Sequence, residues 1–171
     1  MIVLESERLL FRDHEAADLE AYCEMEADPE VRRYVGGAPR SREAAETGFR
    51  KGLERPAENR LWMWATIYKP DGRYIGRCGV FPHFGPSGPI AREGALGFYL
   101  ARAYWGMGLA TEAGHALVDF GFNELHLSRI VTTVEVGNNA SVRVLRKLGF
   151  VLLSTETGAV RSFHHFELLP E

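Results

Sequence analysis

Apolar residues recur along this chain at one of two spacings, and where the spacing changes, the expected element changes with it. From Leu61 the period is two: Leu61, Met63, Ala65 and Ile67 fall on one side, Trp62, Trp64, Thr66 and Tyr68 on the other, which predicts a strand. Lys69-Pro70-Asp71-Gly72 reads as a turn, because proline presets φ and glycine accepts a positive one. A hairpin follows, with its second strand from about Arg73 to Phe81 and a Pro/Gly-rich loop from Pro82 to Pro89. Ala95 to Leu100 predicts the next strand. Between the strand from Leu61 and an earlier one the pattern is helical. Residues 7–12 read as a first strand, and Asp13 is a plausible N-cap for a helix that turns Leu19, Tyr22 and Cys23 inward. Asp28-Pro29 opens a short helix that stops at Gly36-Gly37, and Ser41 caps a third with Ala45, Phe49 and Leu53 on one face.

Beyond residue 100 the helical spacing returns at Leu109, Ala113, Ala116, Leu117 and Phe120. Ser128 to Val136 is β-branched and predicts a strand. Gly137-Asn138-Asn139 opens a short helix with Val142, Leu145 and Leu148 inward, closed by Gly149 as a left-handed C-cap. Strands follow from Phe150 to Thr155 and from Ser162 to Leu168. This order predicts an α/β fold, a mixed sheet with helices on both faces, in one domain spanning residues 1–171.

Composition narrows the partners. Hydrophobic content of 46%, charged content of 25% and a net charge of −3 disfavour nucleic acid or a membrane surface as the main partner. No apolar run approaches the ~20 residues that span a bilayer, so no anchoring or export is expected and a cytoplasmic location fits. Cys23 and Cys78 are far apart and suggest neither a disulfide framework nor a metal site. The acidic stretch from Asp13 to Glu30 reads either as a solvated helical face or as a rim that attracts a cationic substrate.

The chemistry concentrates in Ala101-Arg102-Ala103-Tyr104-Trp105-Gly106-Met107-Gly108-Leu109-Ala110-Thr111, a glycine-rich turn between a strand and a helix. Unpaired amides and the positive end of the dipole at such a helix start can hold a phosphate. A dinucleotide site would want a third glycine where Thr111 stands and its first glycine directly after the strand. A nucleotide P-loop would want Gly-Lys followed by Ser or Thr, which is absent. A turn whose glycines serve only packing is the remaining alternative.

Three motifs, in order and at the right spacing, make the chain similar to the GNAT acetyltransferases, in particular their RimJ/RimL-like branch. They are Trp105-Gly106-Met107-Gly108-Leu109-Ala110, Asn138-Asn139-Ala140-Ser141 and Lys147-Leu148-Gly149-Phe150. Glu7-Arg8-Leu9-Leu10-Phe11-Arg12 and Ala27-Asp28-Pro29-Glu30-Val31 resemble the family's opening strand and early helix start. The resemblance implies a central, mostly antiparallel sheet splayed at two parallel strands. It implies acetyl-CoA as cosubstrate and no metal, with the pyrophosphate on the amides from about Met107 to Thr111. The pantetheine arm would lie between the strand ending at Tyr99-Leu100 and the one ending near Val136. Trp105 departs from the Arg or Gln usual at its position.

The family's reaction moves acetyl to a primary amine, either a protein N-terminus or a small molecule, by direct attack in a ternary complex. The ammonium must lose a proton, an oxyanion must be stabilised and the leaving thiolate protonated. The position that often carries the base is Ala95 here, and Glu93, two residues earlier on the same strand face, is the candidate base or a merely exposed residue. Asn138 matches the residue that bonds pantetheine amides or a water, and equally reads as an N-cap. Ser141 matches the position near the sulfur. The family's frequent acid, a tyrosine seven residues after the asparagine, is Leu145. His83, Tyr99 and Glu135 fall near the presumed cleft, His83 as a loop histidine without a role, and Glu112 serves the helix dipole. The missing base and tyrosine leave open a regulatory or impaired module that only binds acyl-CoA. The expected state is monomer or homodimer.

Overall fold

Period-two segments become one sheet. The computed structural model describes residues 1–56 and 58–170. Its strands are β1 (Ile2–Glu5), β2 (Leu9–Arg12), β3 (Trp62–Tyr68), β4 (Arg73–Gly85), β5 (Gly88–Leu100), β6 (Arg129–Glu135), β7 (Val151–Thr157) and β8 (Ser162–Leu168). Its α-helices are α1 (Leu19–Ala27), α2 (Pro29–Arg32), α3 (Arg42–Leu53), α4 (Leu109–Asp119) and α5 (Asn139–Lys147). The strands order as β1-β2-β3-β4-β5-β6-β8-β7, antiparallel throughout except for β5 and β6.

Local chemistry starts the helices where the sequence implies. Asp28 accepts from the Glu30 amide at 2.8 Å, Ser41 from Ala44 at 3.2 Å and Asn138 from Ser141 at 3.2 Å. Asp13 is not a cap. A 3-10 turn, Ala16–Asp18, precedes α1, so Asp13 lies too far from the first-turn amides; its carboxylate meets the Met1 ammonium and Arg55 instead. Leu53, the last residue of α3, is 43% exposed rather than inward, because the cluster of Tyr22, Cys23, Ala45 and Phe49 ends one turn earlier.

The expected loop from Pro82 to Pro89 is instead the end of a hairpin, with β4 running to Gly85 and β5 starting at Gly88. Pro82 is tolerated because it stands past Trp62↔Val80, the last β3–β4 pair, where no ladder bond needs its N–H. β1, which the apolar run Ile2-Val3-Leu4 was too short to announce, pairs along β2.

Both faces of the sheet are covered. On one, α4 contributes Leu109, Ala113 and Leu117 and α5 contributes Leu145 and Leu148 to a core with Phe11, Trp64, Ile75 and Ile130. On the other, α1 and α3 close over Tyr74, the neighbour of Ile75 that points the opposite way. The acidic stretch is neither a solvated face nor a rim at two positions. Asp18 and Glu26 are 4% and 1% exposed, the first paired with Arg12, the second with Arg32, Arg40 and Arg77.

Parallel pairing lasts only from Glu93↔Arg129 to Ala95↔Val131. Beyond it β5 stays locked to β4 as far as Gly76↔Leu100, and β6 to β8 as far as Glu135↔Phe163. Each strand follows the twist of its outer neighbour, and the two halves of the sheet part into a wedge.

Candidate active site

The wedge has a defined apex. Thr132 donates its hydroxyl to the Leu96 carbonyl at 2.9 Å, closing the gap one residue past the last parallel pair. On the opposite edge, the Ala101 amide bonds the Ile75 carbonyl at 2.7 Å, so odd residues of β5 address β4 and even ones face the gap. Phe98 and Leu100 thus turn their main chain into the wedge. The Leu100 carbonyl is occupied: the Trp105 indole donates to it at 2.7 Å. Trp105 therefore serves as a tie between the glycine turn and the end of β5.

At the wedge mouth the turn itself is held in left-handed geometry, with φ of +75° at Gly106 and +78° at Gly108, the N-cap of α4. The amides of Thr111 and Glu112 both bond the Gly108 carbonyl at 3.1 Å. Five consecutive N–H groups, Gly106 to Ala110, have no acceptor among the described residues. The free run thus lies one residue earlier than the Met107–Thr111 expected from sequence, because Thr111 is already spent on the helix start. A Cβ on Gly106 would meet nothing within 4 Å. Open space in front of unpaired amides at a helix start is what a pyrophosphate requires.

A cation stands beside this run. Arg8 donates to the Met107 carbonyl at 3.1 Å and pairs through Nε with Glu112 at 2.7 Å, while Ser6 Oγ and the Arg8 amide donate to the same carboxylate at 2.7 Å. Glu112 is thus more than a dipole partner; it clamps the β1–β2 turn to the start of α4. Burial pushes its carboxyl up, but these hydrogen bonds and the Arg8 charge outweigh that and hold it below its ordinary value. The sequence reading placed no role on Arg8, whose guanidinium lies beside the turn with its charge shared with Glu112.

Turn and wedge open into a cavity of about 990 Å³, at the upper end of small-molecule sites. Of the expected cofactor residues, Tyr99, Leu100, Trp105, Gly106, Gly108, Leu109, Ala110, Thr111, Asn138 and Ser141 line it. Met107 does not; its side chain is 40% exposed and its carbonyl faces Arg8. Asn138 spends its oxygen on the α5 cap. Tyr99 packs under the Arg77 guanidinium at 5.2 Å, and burial pushes its hydroxyl pKa up. Tyr34 spans the cleft to donate to the Gly137 carbonyl at 3.2 Å. Leu145 is fully buried in the core, so its side chain points away from the wedge.

At the far end, Ala95 lines the cavity and Glu93 does not. The Glu93 carboxylate is instead 2.8 Å from His83 Nδ1 and 3.8 Å from Arg129 Nε, and His83 is on the cavity wall. Glu135 also lines the cavity, with Arg161 at 3.4 Å. Among the described residues no group of His, Cys, Asp and Glu is placed to hold a metal, and no helix is long and apolar enough to cross a membrane.

An acetyltransferase (GNAT) domain family matches residues 8–151. The chain belongs to the GNAT acetyltransferases. It is 34% identical over 155 residues to the uncharacterized N-acetyltransferase p20 of Bacillus licheniformis, covering 88% of this chain and 83% of that protein. Two solved structures share the fold at lower identity. A spermidine N-acetyltransferase from Vibrio cholerae, in complex with CoA and spermine, superposes with a TM-score of 0.77 at 19% identity, covering 95% of both chains. A ribosomal-protein-alanine acetyltransferase from Vibrio fischeri gives 0.77 at 20% identity, covering 97% of this chain and 95% of its own. This GNAT enzyme therefore has the expected fold, with the wedge where the resemblance put it.

Proposed function

We propose that this GNAT enzyme moves an acetyl group from acetyl-CoA to a primary amine by direct attack in a ternary complex. The observation that carries the proposal is the run of free amides from Gly106 to Ala110 at the mouth of a wedge that closes at Thr132, on one cavity whose wall also carries His83 and Glu135. Acetyl-CoA would supply the activated thioester. The Gly106–Ala110 amides would take its pyrophosphate with Arg8 alongside, and the free main chain of Phe98 would pair with its amide-bearing arm. Asn138 and Ser141, both on the cavity wall, would bond that arm or return a proton to the departing sulfur. Closing two reactants into one cavity supplies roughly 7–11 kcal/mol in well-oriented systems, so much of the rate can come from positioning alone. Removal of the ammonium proton belongs to the Glu93 end of the cleft.

The related structures are of enzymes named for two acceptor classes, a polyamine and an alanine of a ribosomal protein. Glu93 and Glu167 share Arg129 and Glu135 faces Arg161, so three carboxylates meet two guanidiniums and one negative charge is left over, which favours an acceptor bringing a single positive charge over a polycation. A second reading, a module that binds acyl-CoA without turnover, is motivated by Ala95 and Leu145 at the usual base and acid positions.

Thiol release from acetyl-CoA across a panel of amines, including short peptides with varied N-termini, separates the two: the enzyme releases thiol only with an acceptor, the module only slowly and regardless of it. Thr111→Glu probes the cradle itself. A glutamate suits a helix first turn, so the protein should fold, while its charge opposes the pyrophosphate. CoA at 100 times Kd should stabilise the native protein by about 2.7 kcal/mol and the variant by almost nothing; equal stabilisation of both refutes the cradle.

A further inference from the structure

β4 and β5 lose register past Pro82↔Gly94, and the next pair is Phe84↔Pro89, so His83 alone stands against the run from Ile90 to Glu93. Inside this bulge Arg92 takes φ +61°, a left-handed conformation that is strained for a residue with a Cβ. It is held there by Ser128, whose amide and hydroxyl both bond the Arg92 carbonyl, at 2.8 and 3.1 Å. Bulges beside functional sites re-aim side chains. The side chain re-aimed here is Glu93, which meets His83 Nδ1 at 2.8 Å.

We propose that His83 is the catalytic residue that takes the proton from the acceptor ammonium, and that Glu93 is a positioning residue that fixes the imidazole. The proposal rests on the acetyl-transfer reading above. An ionised carboxylate only accepts, so Nδ1 carries the hydrogen and Nε2 keeps its lone pair. Nε2 has no partner among the described residues, and His83 lines the cavity whereas Glu93 stands behind it. The other charged groups around the pair are Arg129 on β6, 3.8 Å from the Glu93 carboxylate, and Glu167 on β8, 3.4 Å from Arg129. In the reaction Nε2 takes one proton from the ammonium and later releases it to solvent. The neutral amine forms the N–C bond, the C–S bond breaks, and the second nitrogen proton ends on the thiolate. Atoms and charge balance without a further reactant.

The test compares His83→Gln, Glu93→Gln and the double variant by kcat/KM as a function of pH, alongside CoA-dependent thermal stabilisation and the His83 tautomer by nitrogen-15 NMR. His83→Gln should lose about 100-fold at neutral pH, the low end for a general base, and less as the medium deprotonates the amine itself. Glu93→Gln should lose less, about tenfold, and the double variant no more than His83→Gln, because Glu93 acts only through His83. CoA stabilisation should persist in all three. The native protein should show the Nδ1–H tautomer, and Glu93→Gln should lose that preference. No loss in His83→Gln, a deeper loss in Glu93→Gln, additive losses in the double variant, or an Nε2–H tautomer overturns the proposal. Absence of acceptor-dependent turnover in the native protein overturns the acetyl-transfer reading instead, and the tautomer, which needs no turnover, still decides the pairing.

Discussion

Glu112→Gln tests whether the start of α4 is aimed by contacts from the other end of the chain. The carboxylate is 15% exposed and accepts from Ser6, the Arg8 amide and the Arg8 guanidinium, all at 2.7 Å. Glutamine keeps the shape and one accepting oxygen but turns an amide donor toward one of these donors and leaves Arg8 without its counter-charge. Losing one hydrogen bond to a charged group costs about 1.5–3 kcal/mol. Arg8 is 35% exposed, so solvent screens part of that, and about 2 kcal/mol is expected. For a chain of this size that is a fall in Tm of about 4–8 °C.

The pH dependence carries the sharper test. Because the folded carboxyl titrates below its ordinary value near 4.5, the unfolded chain takes up the proton first as pH falls. The stabilisation is therefore complete above that value and lost as pH falls through the lower folded one. Urea unfolding of both proteins at neutral pH and at about pH 3.5 should show a gap that narrows in acid. A gap that is the same at both values, or smaller than about 0.5 kcal/mol at neutral pH, refutes the reasoning. CoA affinity should also drop several-fold, since Arg8 and the Met107 carbonyl move together.

Ser141→Ala should lower turnover by less than about tenfold and leave CoA binding intact, because direct attack needs no acyl-enzyme and Asn138, not Ser141, caps α5. Ping-pong kinetics with an acetylated enzyme that passes its acetyl on would contradict it. Leu145→Tyr, which restores the family's usual residue, should not raise turnover and should cost about 1–3 kcal/mol by overpacking, since the position is fully buried. A faster enzyme of unchanged stability would show that the side chain reaches the cleft.

What the sequence determined by itself is what short-range physics controls. Ser162–Leu168 matches its strand to the residue, and Ser41, Asp28 and Asn138 cap the helices they precede, because period and capping depend on neighbours a few positions away. The glycine turn was legible for the same reason. The family motifs then supplied the splayed sheet that no local pattern could. Only the tertiary structure decided which amides of the turn stay free, how far apart in sequence its supports lie, and which polar groups are buried. Ser6 and Arg8 reach Glu112 across more than a hundred residues. Asp18 and Glu26 look like surface acids until Arg12, Arg32 and Arg77 close over them. His83 read as a loop residue because the register loss that sets it against Glu93 has no local signature; it exists only once β4, β5 and Ser128 are assembled. Strand register and charge pairing are set by contacts between distant segments, whose energies are decided when the chain packs and not before.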